Sequence, residues 1–130
     1  MPYEVPMTDK KKLLLIDDDA AVIAHLVIKL SKFYEIVSTT DPARAAEMAR
    51  TELPDVILCD IDMPGMGGGE VAAALGGDTA TEGIPFIYLT ALVSPEEARE
   101  LDGQVGGRRG VAKRAPLSEL VRAIDEACRR

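Results

Sequence analysis

The chain has 130 residues, 47% of them apolar and 28% charged, with a net charge of −7 at neutral pH. That length fits one domain built on a single hydrophobic core. The acidic balance argues against nucleic acid or an anionic membrane as the main partner, and no apolar run approaches the ~20 residues needed to cross a bilayer.

Met1 to Lys12 is polar and ends in three lysines, and the apolar run after it is too short for a secretion signal. Residues 1–10 are expected as a flexible lead-in, residues 11–130 as the folded domain, and the location as cytoplasmic. Lys12–Ile16 reads as a buried strand that ends in three acids, Asp17, Asp18 and Asp19. Val22, Ile23, Leu26, Val27, Leu30 and Phe33 then recur at helical spacing, with an aspartate before the stripe as the N-cap. His25, the one histidine, falls on the polar side of this helix and reads as a solvated residue. Tyr34–Ser38 is a second, β-branched strand. Asp41-Pro42 opens a second helix with a cap and a proline in its first turn, Ala45, Met48 and Ala49 form its inner face, and Leu53-Pro54 stops it.

Val56–Asp60 is the stretch around which the rest is organised. A continuous apolar run ends abruptly in Asp60, with Asp62 two residues on, then Pro64 and a glycine cluster. This is the pattern of an interior strand of a parallel sheet, and it puts Asp60 at the carboxyl edge, where such sheets hold ligands. Pro64–Gly69 turns into a short helix over Glu70–Leu75, closed by Gly76-Gly77. Ile84–Thr90 is a fourth strand ending in a hydroxyl. Ser94-Pro95-Glu96-Glu97 is a capping box for a helix running to about Leu101. Gly103–Gly110 holds four glycines and two arginines and is expected as an irregular loop. Val111-Ala112 is a short fifth strand leading to Lys113, and Leu117, Leu120, Val121, Ile124 and Cys128 mark a last helix. Cys59 lies in a buried strand and Cys128 near the end of that helix, so two free thiols are expected rather than a disulfide.

Five βα repeats fold as a doubly wound α/β domain, because each right-handed crossover passes over one face of the sheet. The expected arrangement is flavodoxin-like, five parallel strands in the order 2-1-3-4-5. Strands one and three then meet at the switch point, bringing Asp17, Asp18 and Asp60 to one edge. Carboxylates ~4 Å apart repel by roughly 4 kcal/mol at an effective dielectric of about 20. One lysine is not expected to offset three such pairs, whereas a divalent cation is, and an all-oxygen set selects a hard ion such as Mg²⁺. Thr90 and Lys113 end strands four and five at the same edge, adding a hydroxyl and an ammonium suited to phosphoryl oxygens. A metal, a carboxylate nucleophile, a donor and a cation together describe phosphoryl transfer to an aspartate.

The segments LLLIDDD, VILCDIDMPGMGG, IYLTA and GVAK resemble the receiver domain of two-component response regulators, from Lys12 onward. The resemblance implies a signalling module rather than an enzyme. By that resemblance Asp60 would be its phosphoacceptor, charged by a histidine kinase or phosphotransfer protein and read by a downstream protein, with homodimerisation left open. It also implies that Asp17 and Asp18 help hold Mg²⁺, with Asp18 the nearer match to the direct ligand. The Asp62 position gives the metal its backbone carbonyl. Thr90 matches the switch hydroxyl, Ala91 the small residue after it, and Lys113 the lysine that contacts the phosphoryl group. Asp19 has no assigned chemistry and reads as a helix cap.

Two positions depart from the family pattern. Proline after the lysine, joined by a cis bond, is replaced by Arg114 and Ala115, with Pro116 two places late. A cis bond before a non-proline residue costs ~2.5–4 kcal/mol, so Lys113-Arg114 is expected to be trans and the entry to the last helix rerouted. The aromatic residue common three places before the lysine is Gly110 here, so no aromatic toggle operates at that position. Activation is expected to be read from the helix-four region and the Gly103–Gly110 loop. Two rival readings follow. Asp60-Ile61-Asp62 also resembles the DxD of haloacid-dehalogenase-type phosphohydrolases, but the remaining acids lie upstream rather than downstream. A degenerate receiver acting as a constitutive protein-interaction module is the alternative favoured by the two departures. The glycines at 65, 67 and 69 lack dinucleotide-fingerprint spacing, and no basic recognition helix is present for DNA.

Overall fold

The structure, a computed structural model, describes residues 9–91, 104–105 and 108–129. The chain runs β1 (Lys11–Ile16), α1 (Ala20–Leu30), β2 (Tyr34–Thr39), a 3-10 turn (Pro42–Arg44), α2 (Ala45–Glu52), β3 (Val56–Asp60) and α3 (Gly68–Gly76). Then come β4 (Phe86–Thr90), β5 (Gln104–Val105), β6 (Arg108–Ala112) and α4 (Leu117–Cys128). The sheet order is β2-β1-β3-β4-β6-β5. The first five strands of that order pair in parallel, so with β6 as the fifth parallel strand this is the expected flavodoxin-like 2-1-3-4-5 arrangement.

The period of two along each strand divides the apolar residues between two cores. Leu13, Leu15, Leu58, Ile87 and Leu89 face α1 and α4, which contribute Leu26, Leu30, Leu120 and Ile124. Leu14, Ile16, Ile57 and Cys59 face α2 and α3, which contribute Ala45, Ala49, Val71 and Leu75. β1 and β3 are thus covered on both sides, which is why they are continuous apolar runs. Asp19 caps α1, its side chain accepting from the Ala21 N–H. His25 is exposed, as its place on α1 predicts. Both cysteines are free.

Several boundaries differ from the sequence reading. Asp41 caps a 3-10 turn rather than the α-helix directly, and α2 begins at Ala45. Strand β4 begins at Phe86, because Pro85 has no N–H for the ladder and offers only its carbonyl, which accepts from the Ile57 N–H at 2.9 Å. Helix α3 begins at Gly68, two residues early. The Gly103–Gly110 stretch is not simply an irregular loop. Arg108–Gly110 already belongs to β6, and Gln104–Val105 pairs antiparallel with Arg108–Arg109. The physical reason is that Gly110 pairs with Tyr88 in the parallel ladder, and the backbone of Arg108–Arg109 just before it is satisfied by a partner on its outer edge. The expected helix after Ser94 lies outside the described residues, as does most of the region assigned to reading out activation.

No peptide bond among the described residues is cis, so Lys113-Arg114 is trans as expected. The turn is held by the Lys113 N–H on the Thr90 carbonyl and the Ala115 N–H on the Ala112 carbonyl, both at 3.0 Å. Ala115 is fully buried and Pro116 takes the N-cap position of α4.

Candidate functional site

The parallel register delivers the acids to one place. Ile16 pairs with Cys59 across β1 and β3, so the next residues, Asp17 just past β1 and Asp60 at the end of β3, lie side by side. Asp60 pairs in turn with Leu89, one residue before Thr90, and Thr90 pairs with Ala112, one residue before Lys113. Carboxylate oxygens of Asp17, Asp18 and Asp60 all lie within 4.8 Å of one another. Asp17, Asp60 and Thr90 are buried, while Asp18 stands in solvent. Asp62 is exposed, and its N–H donates to Asp60 Oδ1 at 3.3 Å. Ala91, next to Thr90, is exposed.

Lys113 completes the cluster. Its ammonium lies 2.9 Å from Asp17 Oδ2 and 3.1 Å from Asp60 Oδ2. At these separations each attraction is about 5 kcal/mol at an effective dielectric of about 20, before desolvation. Repulsion inside the protein is therefore weaker than three equal carboxylate pairs would give. Asp18 is screened by water, and a single lysine spans the two acids that are buried. Burial pulls the Lys113 ammonium down, but the bonds and charges of Asp17 and Asp60 outweigh it and its pKa is raised. Burial also raises the Asp60 carboxyl above its ordinary value; the Lys113 bond opposes this and the Asp17 charge adds to it. The neighbouring Cys59 thiol is pushed up to about 12, first by burial and then by the fields of Asp60 and Asp17, so it stays a neutral core group.

Asp17 itself is oriented by the helix start. Its Oδ1 accepts the Asp19 N–H at 2.9 Å. Asp19 thus does more than cap α1: its backbone N–H also fixes the Asp17 carboxylate, which no side-chain pattern in the run of three acids displays. Asp17 Oδ2 is buried, with the Lys113 ammonium 2.9 Å away as its charged partner. A buried acceptor left with lone pairs to spare, beside two more carboxylates, fits a hard cation with oxygen ligands. A second feature the sequence reading passed over is Gly68. A Cβ there would lie 2.5 Å from the Asp60 carbonyl oxygen, 2.9 Å from Ile61 Cα and 3.1 Å from Tyr88 Cε1. The signal was present in the triple glycine of residues 67–69, but which of the three is crowded depends on how α3 meets the sheet.

Comparison with known proteins agrees with this arrangement. A family profile described as the response regulator receiver domain matches residues 13–125. Protein PilH of Pseudomonas aeruginosa is 31% identical over 116 residues, covering 88% of this chain and 88% of PilH. The response regulator PleD of Caulobacter vibrioides is 40% identical over 82 residues, 62% of this chain but 18% of PleD, so the chain spans under a fifth of that relative. Among solved structures, the chemotaxis protein CheY4 of Vibrio cholerae superposes with a TM-score of 0.76 at 26% identity, covering 91% of this chain and 98% of CheY4. A receiver domain of a Pseudomonas aeruginosa sensor histidine kinase, described with a magnesium ion coordinated in its active-site cleft, shares the fold (TM-score 0.76) at 22% identity. That match covers 93% of this chain and 99% of the kinase domain. Among the described residues, no helix is long and apolar enough to cross a membrane.

Proposed function

The chain belongs to the response regulator receiver domain family of two-component signalling, and from that premise we propose that it is a Mg²⁺-dependent phosphoacceptor whose acceptor is Asp60. The observation that carries this reading is the juxtaposition of Asp60 with Asp17, Asp18 and the Lys113 ammonium at the carboxyl edge of the sheet. Asp17, Asp18 and Asp60, with the Asp62 carbonyl, would hold Mg²⁺, which when bound neutralises charge on the phosphoryl oxygens. An Asp60 carboxylate oxygen attacks phosphorus as the donor's phosphorus–nitrogen bond breaks, and the freed imidazole leaves with its electron pair. Lys113 then exchanges a carboxylate partner for a phosphoryl oxygen, and Thr90 offers its hydroxyl from the end of the adjacent strand. The chemistry asks no more of the protein than placement and charge.

The donor is a histidine kinase or phosphotransfer protein, and the output is a changed surface read by a downstream protein. Lys113 reaches both buried acids despite Arg114 standing in place of proline. This favours a working acceptor over a receiver that has lost its chemistry. Incubation with a small phosphodonor and Mg²⁺, followed by intact mass, tests the proposal. One phosphoryl group is expected on the parent chain, none on Asp60→Asn, and none after chelation of the metal. An unmodified parent, or an Asp60→Asn variant that is still labelled, would refute it.

A further inference from the structure

Helix α3 starts without a side-chain cap, because its N-cap residue is Gly67. Something else must hold its first turn in place. The Gly68 N–H donates to the Ile61 carbonyl at 2.8 Å, and the Ile61 N–H donates to the Leu89 carbonyl of β4 at 3.2 Å. Against the same point of the helix lie the Asp60 and Ile61 backbone and, as the nearest side chain, the ring of Tyr88, the residue before Leu89. Cε1 lies 3.1 Å from the point a Gly68 Cβ would occupy, and the hydroxyl 4.0 Å from the corresponding point at Gly69. The ring is buried, and Phe86 meets it edge-on at a centroid distance of 5.3 Å and an interplanar angle of 81°. Its ladder neighbour on β6 is Gly110, which brings no side chain to share the space.

We infer that Tyr88 is a positioning residue for metal binding: its ring sets the height of the α3 first turn above the sheet and so fixes the Ile61–Gly67 loop at the site. The loop is tied at both ends to that one element. Leu89 holds Ile61, and Tyr88 carries Gly68, which in turn clasps Ile61. Asp62 lies between them, its N–H on Asp60 Oδ1. Lowering the helix start by a smaller side chain at position 88 would shift the Asp62 backbone relative to Asp60 and spoil a ligand set that tolerates little displacement. This rests on the metal reading above.

The test is a calorimetric Mg²⁺ titration of the full chain and its variants, with urea unfolding of each measured without metal. Tyr88→Phe keeps the ring and is expected to bind Mg²⁺ as the parent does. Tyr88→Leu is expected to bind about tenfold more weakly, the lower end for a group that orients a ligand. Tyr88→Met, which fills volume with a flexible chain, carries the same expectation should Tyr88→Leu not fold. A purely structural role would lower urea stability and leave the affinity of the folded chain unmoved. A leucine or methionine variant that binds like the parent overturns the inference alone, as does a phenylalanine variant as weak as leucine. A parent chain that binds no Mg²⁺ overturns the metal reading and this inference with it.

Discussion

The same substitution at the two ends of α3 should have opposite effects. Replacing glycine by alanine within a helix is worth up to ~1 kcal/mol, because alanine loses less backbone freedom on folding. At Gly76 nothing lies within 4 Å of the added methyl, so Gly76→Ala is expected to gain about 0.5–1 kcal/mol. At Gly68 the methyl would meet the Asp60 carbonyl oxygen at 2.5 Å and Ile61 Cα at 2.9 Å. Both are backbone atoms of the strand end and cannot rotate aside. Overpacking of this kind costs about 1–3 kcal/mol, which exceeds the propensity gain and leaves Gly68→Ala a net loss of about 1–2 kcal/mol. The two variants should therefore sit about 1.5–3 kcal/mol apart, a gap of several degrees in Tm for a domain of this size. Urea unfolding at one pH with a common m-value reads the difference directly. A Gly68→Ala variant as stable as the parent would mean that the helix start can rise off the strand end, and the close approach would then hold nothing.

Asp60 carries a pH-dependent cost. Burial and the Asp17 charge hold its carboxyl above the ordinary range against the Lys113 bond, so the folded chain keeps this proton to higher pH than the unfolded chain. Its ionisation therefore lowers stability as pH rises through the folded value, and below the ordinary carboxylate range the cost is absent. Without metal, Asp60→Asn is expected to be more stable than the parent near neutral pH, because the amide carries no charge to bury beside Asp17. The advantage should shrink toward pH ~4 and reverse when Mg²⁺ is added; a pH series of urea midpoints with and without the ion checks all three. At the far end of α2, Leu53 is left-handed, with φ 47 and ψ 59, and is 60% exposed. Leu53→Gly relieves the Cβ clash and gives up little burial, so its stability should rise by about 1 kcal/mol and its urea midpoint with it. An unchanged or lower midpoint would show that the side chain is held by a contact stronger than that strain.

Most of the fold was legible because the relevant signals are local. Continuous apolar runs at Leu13–Ile16 and Val56–Cys59 mark strands covered on both faces, and the spacing in α1 and α4 marks helices covered on one. The alternation of the two fixes a parallel sheet through the handedness of its crossovers. The acids, the hydroxyl and the lysine were visible as strand-end residues for the same reason. Where the reading missed, a non-local partner decided. β6 extends back to Arg108 because two residues earlier in the chain lie along its edge, and no composition rule reports that. α3 begins at Gly68 because a glycine can approach the end of β3, a fact of packing and not of propensity.

Asp17, Asp18, Asp60, Thr90 and Lys113 are each at the end of a strand by virtue of the residues just before them, and that much follows from the chain alone. How their charges balance does not. The register of β1 on β3 leaves Asp17 and Asp60 buried together, the turn out of β4 and β6 swings Lys113 between them, and Asp18 is left to the solvent. Electrostatic energy depends on separation and on distance from water. Neither is encoded by position along a sequence, and both are set only when the strands pair.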